Sequence, residues 1–166
     1  MLIENGRWHG KGTLLLAGNS LGVPVSGVLS VQREDGAYTM QGECAIESRA
    51  AVPFSLRLHL NHEGLWTVAV YAQSLGMEGM AKLESEPHLA MLWDSASGRQ
   101  MSVALFAISG GVGCRGFLRQ GDPANASAIT WEIAWRPDGA ASPPGTRGAA
   151  TAKGGNVFSL RPFRKR

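Results

Sequence analysis

Along most of this chain, apolar residues alternate with polar or small ones in short runs broken by turn residues. Ile129, Trp131, Ile133 and Trp135 alternate with Thr130, Glu132, Ala134 and Arg136. Phe54, Leu56, Leu58 and Leu60 alternate in the same way with Ser55, Arg57, His59 and Asn61. A period of two places each apolar set on one face of an extended chain, so these runs predict strands with a single core face. The pattern predicts strands near 11–18, 24–33, 37–47, 52–61, 65–73, 77–85, 88–94, 99–109, 113–120, 127–136 and 156–162. The segment 75–85 would also tolerate a helix, but Gly76 and Gly79 count against one. No long segment joins a 3.6-residue apolar period to caps at both ends. The links are short and rich in turn residues, as in Glu34-Asp35-Gly36 and Gly121-Asp122-Pro123. Such links join antiparallel neighbours, because parallel strands need long crossovers.

One strand-turn-strand pattern occurs three times. Thr13-Leu14-Leu15-Leu16-Ala17-Gly18-Asn19-Ser20-Leu21-Gly22 aligns with Thr67-Val68-Ala69-Val70-Tyr71-Ala72-Gln73-Ser74-Leu75-Gly76, and Ser102 to Gly111 follows the same scheme. The unequal spacing of the copies rules out a regular solenoid, and repeated hairpins describe a meander or barrel. These strands are apolar or small on both faces, so a second surface is expected to cover them: another layer, a bound ligand or a partner subunit. Burial of a few such side chains, worth about 1.5–3 kcal/mol each, is enough to drive dimerisation, and a homodimer is the expectation.

Composition narrows the classes. At 166 residues the chain fits one domain, spanning 1–166. Charged residues make up 17%, below the ~25% of an average soluble domain. The net charge of +3 comes from a basic tail over 161–166, which contains Arg161, Arg164, Lys165 and Arg166. No nucleic-acid motif accompanies that tail, so nucleic acid is not an expected partner. The stretch 138–155 is rich in Gly, Ala, Pro, Ser and Thr and reads as a flexible loop. The N-terminal residues have no signal-peptide pattern, and no apolar run approaches the ~18 residues of a membrane helix. A cytoplasmic protein without a membrane span is the expectation. Cys44 and Cys114 are too few for a metal framework and are expected as reduced core thiols.

Near the N-terminus, Gly6-Arg7-Trp8-His9-Gly10-Lys11-Gly12 stands directly before the first predicted strand. This G-x-W-x-G-x-G run resembles the start of nitrobindin-like haem-binding β-barrels and, more loosely, the G-x-W signature of lipocalins. The resemblance implies a calycin-like barrel in which Trp8 plugs one end and a late arginine, Arg161 or Arg164, packs across it. It also directs attention to haem, which such barrels hold through a histidine near the C-terminus. Here no histidine follows His88, so neither haem nor another cofactor is expected.

Chemistry-bearing residues are sparse. His9, His59, His62 and His88 form no recognised metal motif, although a barrel could gather His9, His59 and His88 in space. Ser20, Ser74 and Ser109 occupy equivalent turns, and none lies in a nucleophile elbow. No carboxylate pair is placed for acid–base work, so no catalytic residue is assigned. Aromatic and Met side chains are the candidates for ligand contact: Met40, Trp66, Tyr71, Trp93, Trp131 and Trp135. The sequence therefore predicts an all-β antiparallel meander closing into a calycin-like barrel of about ten strands, which binds a small apolar or aromatic ligand without catalysis. Two alternatives stand beside it. One is a barrel isomerase, cyclase or lyase acting on a hydrophobic substrate. The other is an interaction module that uses apolar outer strand faces.

Overall fold

The computed structural model describes residues 1–16, 21–47, 49–121 and 127–139. Ten strands follow one another without a helix among the described residues: β1 (Gly6–Leu15), β2 (Val23–Glu34), β3 (Ala37–Ile46), β4 (Val52–Leu60), β5 (Trp66–Ala72), β6 (Leu75–Lys82), β7 (His88–Asp94), β8 (Arg99–Ile108), β9 (Gly111–Gln120) and β10 (Ser127–Pro137). Each pairs antiparallel with its chain neighbours, and β10 returns to β1, closing the barrel. The segment 75–82, where a helix competed in sequence, is strand β6. The predicted strand at 156–162, the loop 138–155 beyond Gly139 and the basic tail lie outside the described residues.

The turns follow from local chemistry. Asp35 and Gly36 have φ of 48° and 79°, the pair of left-handed residues that a two-residue hairpin between twisted strands requires. Asn61 accepts hydrogen bonds through Oδ1 from the backbone N–H of Glu63 at 3.0 Å and of Leu65 at 2.8 Å, which turns β4 into β5. Asp94 accepts from the N–H of Ala96 at 3.0 Å and pairs with Arg99 at 3.0 Å between β7 and β8. The hydrogen bonds from Ser97 and Arg99 hold its carboxyl below the usual carboxylate range, against the opposing effect of burial. The turns carrying Ser74 and Ser109 lie at opposite rims, as strand counting requires, so they share no site; Ser20 lies outside the described residues.

β1 begins five residues earlier than the alternation suggested, at Gly6 rather than 11. The G-x-W-x-G-x-G run is therefore part of the first strand and not a lead-in to it. Trp8 sits in register with Leu29 of β2 and Pro137 of β10. The glycines allow this because tryptophan rings lie flat on them. A Cβ built on Gly10 would fall 2.8 Å from the ring of Trp135, its register partner. One built on Gly27, opposite Gly10 on β2, would fall 2.8 Å from the Glu43 carbonyl oxygen, 3.0 Å from Cys44 Sγ and 3.2 Å from the same ring. On β9, Gly116 likewise lies directly beneath the Trp131 ring. Side chains at these positions would push the rings into the interior.

The core is the inside of the barrel. Trp8, Leu29, Val31, Tyr38, Met40, Leu58, Val68, Met77, Leu92, Val112, Cys114 and Trp135 are buried there, and Ile3, from the segment before β1, joins them. That segment forms a strap across one rim. Trp8 donates from Nε1 to the Glu4 carbonyl at 3.0 Å, and Leu2 donates its backbone N–H to His88 Nε2 at 3.1 Å.

Gly10→Ala and Gly27→Ala should each destabilise the barrel by about 1–3 kcal/mol, the usual cost of overpacking a filled site. Urea titration would show this as a lower midpoint at an unchanged slope. Because both added methyl groups press on the Trp135 ring, the two changes should couple, so that the double variant departs from the sum of the singles.

Candidate functional site

Inside the barrel is a cavity of about 350 Å³. Its wall is made by inward residues of all ten strands and by the strap residues Met1 and Ile3. Most wall residues are aliphatic, Met or aromatic. The titratable side chains among them are His88, Cys44 and Cys114, and among the described residues no carboxylate, lysine or arginine side chain faces the cavity. On β1–β4, β9 and β10 the inward residues just inside the strap-end rim are buried, while Leu60 at that end of β4 is 52% exposed. Towards the opposite rim they are half-buried, Val25 excepted. The strap thus crosses one end of the cavity.

His88 begins β7, and the alternation along that strand turns it inward with Ala90 and Leu92. It is the one buried polar residue among those described, 7% exposed. Leu2 N–H donates to its Nε2, so the ring proton belongs on Nδ1, which lies 3.3 Å from the Ser85 carbonyl as donor. Both ring nitrogens are therefore engaged by protein. A buried polar group left without partners costs about 1–3 kcal/mol, and these two bonds meet that need while pinning the strap.

The two thiols face the cavity from β3 and β9. Burial pushes Cys114 up to about 11, with Trp131 hydrogen-bonding to it in opposition and Cys44 adding to the rise. Burial also raises Cys44, helped by the neighbouring Glu43 carboxylate. Both are thus protonated, weakly polar parts of an apolar wall at neutral pH.

The predicted contact residues divide by strand parity. Met40, Trp131 and Trp135 line the cavity. Trp66 packs at the strap end against Tyr38, ring centroids 5.7 Å apart, and is not part of the wall. Tyr71 and Trp93 point outward, 51% and 46% exposed, so contact with an interior ligand does not fit their place. Tyr71 follows inward Val70, and its hydroxyl donates to Glu78 Oε1 at 3.1 Å on the outer surface. It borders a shallow depression with Gln41, Pro53 and Ser55. Trp93 follows inward Leu92. Trp8 is buried at the strap end, where a plug was expected; Arg161 lies outside the described residues.

The histidines are not gathered. His9 is on the outer surface, 3.4 Å from Asp138, His59 bonds the Thr67 hydroxyl, and His62 is in an exposed turn. His88, one of the three histidines that a barrel could gather, is alone inside. Its parity with Leu92 was the available signal. Among the described residues no group of three or more His, Cys, Asp or Glu side chains could hold a metal ion, and no helix is long and apolar enough to cross a membrane. No protein-family model matches the chain, and no curated protein matches it.

Iodoacetamide should label Cys114 far more slowly in the folded protein than after denaturation, because only about one thiol in a thousand is ionised three units below its pKa. Peptide mass mapping at pH 8 reads this directly. The folded pKa lies above the ordinary thiol value of 9.0, so the stability this thiol contributes is complete below pH 9 and is lost as pH rises towards about 11. Urea midpoints over that interval should fall less for Cys114→Ala than for the parent.

Proposed function

We propose that the barrel binds a small, neutral, apolar or aromatic molecule in its interior, as a carrier or sensor and not as a catalyst. The carrying observation is the interior cavity of about 350 Å³, whose wall carries no charged side chain among the described residues. That volume is at the small end of the ~300–1,000 Å³ found for ligand pockets. An eight-stranded barrel is just wide enough for its own side chains to fill, and ten strands widen it. Each methylene moved from water into such a wall contributes about 0.8 kcal/mol. The Trp131 and Trp135 rings, spread over their glycines, offer flat surfaces to an aromatic ring.

The wall also selects by charge. An ionised carboxylate would lose its hydration with no cation to meet it, at a cost of several kcal/mol. Free fatty acids therefore fit this interior poorly, and hydrocarbons, neutral aromatics or esters fit it well. A calycin-like relationship, suggested by Gly6-x-Trp8-x-Gly10-x-Gly12, agrees with an interior ligand, although ten strands exceed the eight of lipocalins. The isomerase, cyclase or lyase alternative needs an inward acid or base. His88 has both nitrogens engaged and the two thiols are held protonated, so the described wall gives that alternative little support.

The neutral probe N-phenylnaphthylamine should bind with quenching of tryptophan fluorescence, and palmitate at neutral pH should not displace it. Ala90→Phe, which fills the cavity from β7, should weaken the probe about tenfold or more while circular dichroism stays unchanged. No binding by the parent protein, or equal binding by the filled variant, would refute the reading.

A further inference from the structure

The outer wall over β6–β9 holds an apolar face that the cavity does not explain. Alternation turns Met91 and Trp93 of β7 outward together, with Met91 65% exposed, and Leu89, which also borders the cavity near the strap-end rim, is 42% exposed on the same side. Met80 of β6 and Phe117 of β9 stand in the same cross-strand row, since Met80 pairs with Met91, Met91 with Ser102, and Ser102 with Phe117. The outward residues of β8 between them are Gln100, Ser102 and Ala104, in register with Trp93, Met91 and Leu89 respectively. The face is therefore a tall apolar ridge on β7 beside a low shelf on β8. Charges stand at its margins: Glu78 beside Trp93, and Arg119 beside Gln100.

From this relief we infer that the β6–β9 face binds a second copy of the same chain about a two-fold axis running along the strands between β7 and β8. Such an axis exchanges β7 with β8 and β6 with β9 across the contact. The ridge of Leu89, Met91 and Trp93 then lies on the partner's shelf of Ala104, Ser102 and Gln100, and the partner's ridge lies on this shelf. Met80 meets Phe117 at the flanks, where two convex walls diverge and long side chains are needed to fill the gap. Glu78 of each copy faces Arg119 of the other, so the marginal charges are complementary. Lys82 faces Arg115, whose charge Glu132 already offsets at 2.9 Å. A two-fold contact demands one self-complementary patch, and this face supplies its own knob, its own recess and both signs of charge. Methionine and aromatic side chains surrounded by small and polar ones have the composition of an interface centre. This inference does not depend on what the cavity holds.

Sedimentation equilibrium of the full chain tests it. The parent should behave as a reversible dimer of the 17.6 kDa chain. Met91→Glu should weaken association by about 30-fold or more, as loss of a central anchor does, with an unchanged circular dichroism spectrum and unchanged probe binding. Glu78→Arg should weaken it as well, and mixing that variant with Arg119→Glu should restore a heterodimer. A parent that stays monomeric at its highest soluble concentration would overturn the inference and leave the face for a different partner. A dimer indifferent to Met91→Glu would overturn it too, by placing the contact elsewhere.

Discussion

Closure between β1 and β10 is the constraint from which the other properties follow. An open ten-strand meander would leave two unpaired edges and no inside. The seam from Trp8–Pro137 to Leu15–Thr130 removes both edges and divides every strand into residues that face water and residues that do not. It can form because Gly10 lets the Trp135 ring settle on the backbone at the joint, with Gly27 extending the same pad. The glycines of the N-terminal run are thus closure residues more than flexibility residues. Their role is to be thin where a tryptophan must lie.

Once the ring is closed, the chemistry of the interior is set by what alternation turns inward. Nearly every inward residue is apolar, and the wall is wider than its side chains fill. The exceptions are handled locally: His88 is bonded on both sides, and the two thiols are held in their protonated form. The same histidine secures the strap that crosses one end, so the one buried polar residue among those described serves an apolar space. Polar and apolar parts of the site are in this sense one device.

Strand positions were legible from alternation and turn residues, to within a few residues, because period-two patterning and left-handed turn positions such as Asp35-Gly36 are written locally. β1 was cut short since its glycines resemble a linker when their tryptophan partners on another strand are unseen. The interior was legible where the two faces of a strand differ, as on β10, which correctly placed Trp131 and Trp135. It was not legible on β5 and β7, where both faces are apolar. Tyr71 and Trp93 are large hydrophobes there, yet size does not decide parity; pairing with β4, β6 and β8 does. The buried place of His88 was hidden for the same reason, since its outward neighbours Leu89, Met91 and Trp93 look more core-like than it does.

The meander has a kinetic side. Every strand pair except one joins chain neighbours and can form through local contacts, whereas the seam must bring together the two ends of the strand sequence. Loop-closure entropy is greatest for that one contact. Until it is made, the sheet is a curled ribbon whose apolar face is open to water. The enclosed space therefore has no partial version along the way: a chain acquires its interior all at once, in the same event that removes its last free edge.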